Sequence, residues 1–220
     1  MKTRISWIFY CLVSFMLLPS LSAAERFVTN ESNGFTWIQQ GKAYPILVDS
    51  QEDKGVLRAV ANLQTDAGKV TGATPEIIHS PSGNRILIVG SVENSSWIKQ
   101  LVQAGKIPAA DLKGKREKYI LQTVKQPVEG VEEAIVIAGS DKRGTIYGIY
   151  ELSRQMGVSP WYFWADVPVE KHDIISIKEG VYTDGEPAVK YRGIFLNDEW
   201  PSLGAVSYTH LRAHETEADL

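Results

Sequence analysis

Apolar residues along the chain fall into two rhythms, and each predicts a kind of element. Unbroken apolar runs closed by Asp, Ser or Gly predict buried strands: YPILVDS at 44–50, RILIVGS at 85–91 and EAIVIAGS at 133–140. None shows the polar alternation of a strand with one wet face. PEIIHS at 75–80 reads as a shorter strand followed by the turn PSGN, and EKYILQTV at 117–124 as another, joined to 133–140 through KQPVEG. The second rhythm is helical. KGVLRAVANLQTDAGKVTG places Val56, Val60, Leu63 and Ala67 at spacings of four, three and four, one face of a helix that Gly72 stops. SSWIKQLVQAGKI sets Trp97, Leu101 and Ala104 on one face, with Ser95 or Ser96 as N-cap and Gly105 as terminator. DKRGTIYGIYELSRQMG predicts a third helix, capped by Ser140 or Asp141 and ended by Gly157, with Ile146, Ile149, Tyr150 and Met156 inward.

Strands and helices mix without strict βαβ alternation. The expected fold class is α/β: a mixed sheet with packed helices over residues 25–187, with ILIVG and AIVIAG near the sheet centre. VSPWYFWADVPVEKHD then brings a dense aromatic stretch, and IISIKEGVYTDGEPAV reads as an extended linker. A second domain is expected from 188, with KYRGIFLNDE as its first strand.

The N-terminus changes the picture of where the chain works. Lys2 and Arg4 precede an apolar run from Ile5 to Leu18, Pro19 and Ser20 break it, and LSAAE follows. That is the pattern of a secretory signal peptide over 1–24, with Ser22 and Ala24 suited to the cleavage site. The run is short for a membrane span, so the mature chain is expected to be exported, to the periplasm or beyond, with no membrane span. Cys11, the one cysteine, lies in that segment, which leaves the mature chain without disulfide or thiol chemistry. A net charge of −3, about −5 once Lys2 and Arg4 are removed, argues against a nucleic-acid partner. The sequence leaves the oligomeric state open.

Four stretches could carry chemistry. GSDKRGTIYG puts glycines and a basic pair at a strand-to-helix turn, yet it lacks the spacings of a P-loop or a dinucleotide fingerprint. Gly144 and Gly148 are better read as letting a helix approach the sheet, with Asp141 as cap and Lys142 and Arg143 solvated. WYFWADVP could stack rings on a pyranose, with Trp164 and Asp166 the pair to watch, or could clamp two domains. His79 and His172 have no partner at metal-ligand spacing, and neither metal nor cofactor is implied. FLNDE ends a buried-looking strand in Asn197, Asp198 and Glu199. Read locally, a polar strand cap and a functional site fit this stretch equally well; on a barrel strand it would fall on the face where barrel enzymes place their sites.

Taken together, IAGSDKRGTIYGIYELSRQMGVSPWYFWADVPV and VKYRGIFLNDE resemble the N-terminal region of the xylan α-1,2-glucuronidases, glycoside hydrolase family 115. The resemblance runs from about 25 to about 204. It implies a leading domain like the accessory domain of β-hexosaminidases, followed by the first strand of a truncated (β/α)8 barrel at 188–205. It also implies an enzyme that removes glucuronic acid, often 4-O-methylated, from xylan or its oligosaccharides with inversion. Inversion needs two carboxyl groups roughly 6.5–9.5 Å apart. Asp198 is the implied catalytic contact, and Asn197 and Glu199 are the implied substrate-binding residues beside it; Trp164 and Asp166, read from the aromatic stretch itself, are the further substrate-binding candidates. The second carboxylate is expected from later strands. A full barrel takes about 250 residues, so the chain alone is expected to be inactive. From 206 the resemblance ends, and VSYTHLRAHETEADL is expected to be a non-native, poorly packed tail. Two alternatives stay open: a related hexosaminidase-like glycosidase, and a non-catalytic carbohydrate-binding or structural module.

Overall fold

The computed structural model of the chain describes residues 25–193, apart from the side chains of Ala109, Phe163 and Trp164. The leader at 1–24, the stretch Asn197–Asp198–Glu199 and the tail from 206 lie outside the described residues. The chain divides into two units, Met1–Pro187 and Ala188–Leu220. Of the second, residues 188–193 are described; they are exposed and carry no regular secondary structure.

The first unit is built on a six-stranded sheet. Its strands are β4 (Ile46–Val48), β5 (Ile77–Ile78), β6 (Arg85–Ser91), β7 (Tyr119–Lys125), β8 (Glu133–Gly139) and β10 (Val181–Tyr182), in the order β10-β7-β8-β6-β4-β5. β5, β4, β6 and β8 run parallel, while β7 and β10 pair antiparallel at the other side. The mixed sheet and the central place of RILIVGS and EAIVIAGS agree with the sequence reading.

Alternation along the strands sends side chains to two cores. Ile46, Val48, Leu87, Val89, Ile135 and Ile137 face one core, with helices α1 (Lys54–Thr71) and α3 (Lys142–Met156) packed over them. Leu47, Ile86, Ile88, Ala134 and Val136 face the other, under helix α2 (Ser96–Gln103). α1 starts where the Asp53 carboxylate accepts the Gly55 N–H at 2.8 Å, and it ends at Gly72, whose φ of 77° suits a residue without a Cβ. α3 lies hard against the sheet because of two glycines: a Cβ on Gly144 would stand 2.2 Å from the Lys118 carbonyl oxygen, and one on Gly148 would stand 2.8 Å from Ile137 Cγ2. The packing role read from GSDKRGTIYG is therefore the one the fold uses.

Three expectations need correction. Tyr150 is 43% exposed, and Leu152 takes its place in the core of α3, three residues on from Ile149. In α2 the buried pair is Ile98 and Leu101, while Ala104 is the exposed C-cap. The supposed linker is the largest departure. IISI forms β9 (Ile174–Ile177), which sits inside a second, antiparallel sheet with β1 (Val28–Thr29), β2 (Phe35–Gln39) and β3 (Lys42–Ala43), in the order β1-β9-β2-β3. β9 pairs with β1 and β2, bringing Val28 opposite Ile177 and Phe35 opposite the same residue. Phe27, Phe35, Trp37, Ile38 and Ile175 join the core under α1 and α3. The Gln155 amide fastens the junction: its oxygen accepts the Phe27 N–H at 2.8 Å and its nitrogen donates to the Glu25 carbonyl at 3.1 Å. Among the described residues no helix is long and apolar enough to cross a membrane.

Candidate functional site

Open α/β sheets bind ligands outside the carboxyl ends of their parallel strands, where successive connections leave toward opposite faces. β4 and β6 are neighbours that meet this condition, since β4 leads into α1 on one face and β6 into α2 on the other. The apolar run of β4 stops at Asp49, and the turn that follows supplies Glu52 and Asp53. β6 ends at Ser91, and Ser95 and Ser96 open α2. Amide N–H groups at such a crest ordinarily await an anion.

The crest supplies its own anions. Glu52, 4% exposed, accepts the Ser91 N–H at 3.0 Å, the Ser91 hydroxyl at 2.8 Å and the Asp53 N–H at 3.2 Å. Asp49 accepts the Ser96 hydroxyl at 2.6 Å, the Ser96 N–H at 3.0 Å and the Gln51 N–H at 3.0 Å. The Ser96 hydroxyl first, then the Gln51 amide, holds the Asp49 carboxyl below the usual carboxylate range. Ser95 Oγ accepts the Ile98 N–H as a cap, and His79 Nδ1 lies 2.9 Å from the Val48 carbonyl oxygen. An incoming phosphate or uronate would meet two carboxylates holding the amides it needs.

The turn after β8 is closed in the same way. Asp141 accepts the Gly144 N–H at 2.7 Å and the Glu117 N–H at 2.7 Å. Lys142 reaches Asp53 at 3.7 Å, and Arg143 reaches Glu117 at 3.2 Å. The basic pair of GSDKRG thus meets carboxylates of the same unit. His172 Nε2 lies 3.5 Å from a Glu170 carboxylate oxygen. Among the described residues, no group of three or more His, Cys, Asp or Glu could hold a metal ion.

Of the residues singled out from the sequence, Trp164 lies on the four-residue helix α4 (Tyr162–Ala165). Asp166 ends that helix, exposed and with a left-handed φ of 51°. Trp161 and Tyr162 beside them are 63% and 38% exposed. Asn197, Asp198 and Glu199 fall outside the described residues, so the two groups of candidates are not brought together by anything described. Sequence reasoning does not single out Asp49, Glu52 or Ser91, although each stands at or just after the end of an apolar strand.

Comparison with known proteins gives a consistent result. The sequence model of the family described as glycosyl hydrolase family 67 N-terminus matches residues 36–152. Among solved structures, a family GH115 4-O-methyl-α-glucuronidase with specificity for decorated arabinogalactans superposes with a TM-score of 0.64 and 32% identity, over 80% of this chain. This chain spans only 22% of the length of that protein. A family GH20 β-N-acetylhexosaminidase from Streptomyces coelicolor aligns over 73% of this chain and 25% of its own, with 16% identity and a TM-score of 0.41, a likeness too distant to build on. No curated protein matches the sequence.

Proposed function

The chain belongs to the glycosyl hydrolase family 67 N-terminus family, and from that premise we propose that it is the leading part of an exported glycoside hydrolase that removes glucuronic acid from polysaccharide side chains. The observation that carries this reading is the 32% identity, over 80% of the chain, with a 4-O-methyl-α-glucuronidase. The released group in our reading is a terminal glucuronate, 4-O-methylated or not, and the polymer is decorated xylan. That enzyme's preference for decorated arabinogalactans makes the latter the polymer to test beside it.

The crest of the first unit supports a division of labour. Its amides are already taken by Asp49, Glu52 and Asp141, so a uronate finds no open anion site there. In the proposed arrangement, residues 1–24 direct export, 25–187 form the accessory domain, and 188–205 begin a catalytic barrel, with 206–220 foreign to the enzyme. Inverting hydrolysis places one carboxyl group to protonate the leaving oxygen and a second to activate a water. Asp198 takes one contact with the reacting sugar or its water. Asn197 and Glu199 flank it, Trp164 offers a ring face and Asp166 an acceptor to the substrate. The partner carboxylate comes from polypeptide beyond this chain.

The test is the Asp198→Ala variant of the full-length enzyme, assayed for glucuronic acid release from both decorated polymers. A positioned acid–base group contributes a factor of about 10² to 10⁴. We expect a loss of at least about a hundredfold on the preferred polymer, with thermal unfolding unchanged. Near-normal turnover would remove Asp198 from the site.

A further inference from the structure

α1 and α3 lie side by side on one face of the sheet, and between them, beside α4, runs a groove of about 430 Å³. A volume between about 300 and 1,000 Å³ is ordinary for a small-ligand site. Its floor holds two polar groups that are poorly served. Ser153 is 3% exposed, and its buried hydroxyl makes no hydrogen bond of ordinary length and angle, its weak contact being to the Asp66 carboxylate. Asp66 is 8% exposed and reaches the Lys69 ammonium only at 3.8 Å. Burial drives the Asp66 carboxyl above the usual carboxylate range; the neighbouring Ser153 hydroxyl and Lys69 pull the other way without offsetting it. Buried polar groups are nearly always satisfied, so an under-bonded pair at the floor of a groove points to a missing partner.

The walls say what that partner is. Tyr150 is 43% exposed and Tyr162 38% exposed, so both offer ring surface to the groove. Both rings are held: the Asn62 amide donates to the Tyr150 hydroxyl at 2.7 Å, and the Lys69 ammonium sits 4.3 Å from the Tyr162 ring centre. The cations are already engaged, Lys69 with Asp66 and Tyr162, and Arg154 with Glu151 at 2.5 Å. With Lys69 and Arg154 each already paired, these two groove cations are not free to meet an acidic sugar, which leaves a neutral one favoured. Ring faces suit the apolar C–H face of a pyranose, a carboxylate accepts its hydroxyl protons, and a serine hydroxyl donates to its oxygens.

We infer that the groove between α1 and α3 is a binding site for a neutral pyranose unit of a polysaccharide, stacked on Tyr150 and Tyr162 and hydrogen-bonded to Asp66 and Ser153. The site stands apart from the proposed hydrolysis, because its test reads binding and not turnover. The experiment is a ¹H–¹⁵N NMR titration of the 220-residue chain with xylohexaose and, separately, with β-linked galacto-oligosaccharide. At least one probe should give saturable shifts that map to α1, α3 and α4. Tyr150→Ala and Tyr162→Ala should each weaken binding about tenfold, the scale of a lost aromatic contact. Tyr150→Phe keeps the ring, guards against a folding failure of the alanine variant, and should bind within about threefold of the parent chain. Lys42→Ala, on β3 away from the groove, should change nothing. The inference is overturned if neither probe produces saturable shifts, if the shifts map elsewhere, or if a folded Tyr150→Ala chain binds as well as the parent.

Discussion

The crest at the ends of β4 and β6 and the groove between α1 and α3 are both lined by carboxylates and serines, and they behave in opposite ways. At the crest every acidic group is matched to donors: Glu52 and Asp49 each accept three hydrogen bonds between 2.6 and 3.2 Å. In the groove Asp66 is buried with its ion-pair partner at 3.8 Å, and the Ser153 hydroxyl beside it makes no hydrogen bond of ordinary length and angle. Residue type alone does not separate a structural acid from one poised for a ligand. The count and distance of its donors do. The place where this fold class usually binds ligands is sealed by side chains of the same unit, while Asp66 and Ser153 lie on its helical face.

Glu52→Ala should destabilise the first unit by about 3 kcal/mol, because it leaves the Ser91 amide and hydroxyl buried without an acceptor. Chemical denaturation reads this directly, and a change under about 0.5 kcal/mol would show that the crest is not held by its acids.

Asp49→Asn and Asp66→Asn should act with opposite sign at neutral pH. The Asp49 carboxyl is held low in the folded chain, so its contribution is present above the ordinary carboxylate range and is lost as pH falls through its lowered value. Asp49→Asn should therefore cost about 1 kcal/mol at neutral pH, the modest figure suiting a partly exposed group, and the cost should fade in acid. The Asp66 carboxyl is held high, so its contribution is full below the ordinary range and is lost as pH rises through its raised value. Asp66→Asn should be neutral in acid and should gain a few tenths of a kcal/mol at neutral pH. Two losses of equal size across the pH range would erase the distinction between crest and groove.

How far the fold and the site are legible in the sequence depends on how far away each partner lies. RILIVGS and EAIVIAGS are apolar on both faces because both faces are covered, so their central place shows in the residues themselves. The stop at Gly72 and the glycine contacts of α3 are equally local. The antiparallel sheet is not. β1 and β3 are two-residue strands too short to show a period, and β9 finds its partners at Val28 and Phe35, more than a hundred residues back. IISI, followed by Gly and Pro, reads as a linker for that reason. Asp49 at the end of YPILVDS is visible as an acid capping a strand, but its bond to Ser96 arises only when β6 comes to lie beside β4. Asp66 stands between Leu63 and Ala67 on the buried side of α1, a position where an acid is costly, and the helical spacing of its neighbours is enough to reveal that oddity.

In the proposed arrangement, residues 25–187 form an accessory domain and the catalytic carboxylates lie outside it. The most direct measurement is glucuronic acid release from decorated xylan and decorated arabinogalactan by the 220-residue chain and by the full-length enzyme at equal concentration. Inversion needs two carboxyl groups held at a set separation around the bound sugar, and in the proposed arrangement this chain supplies one candidate, Asp198. We expect release by the full-length enzyme on at least one polymer and none by the chain alone. Clear turnover by the 220-residue chain would contradict that arrangement.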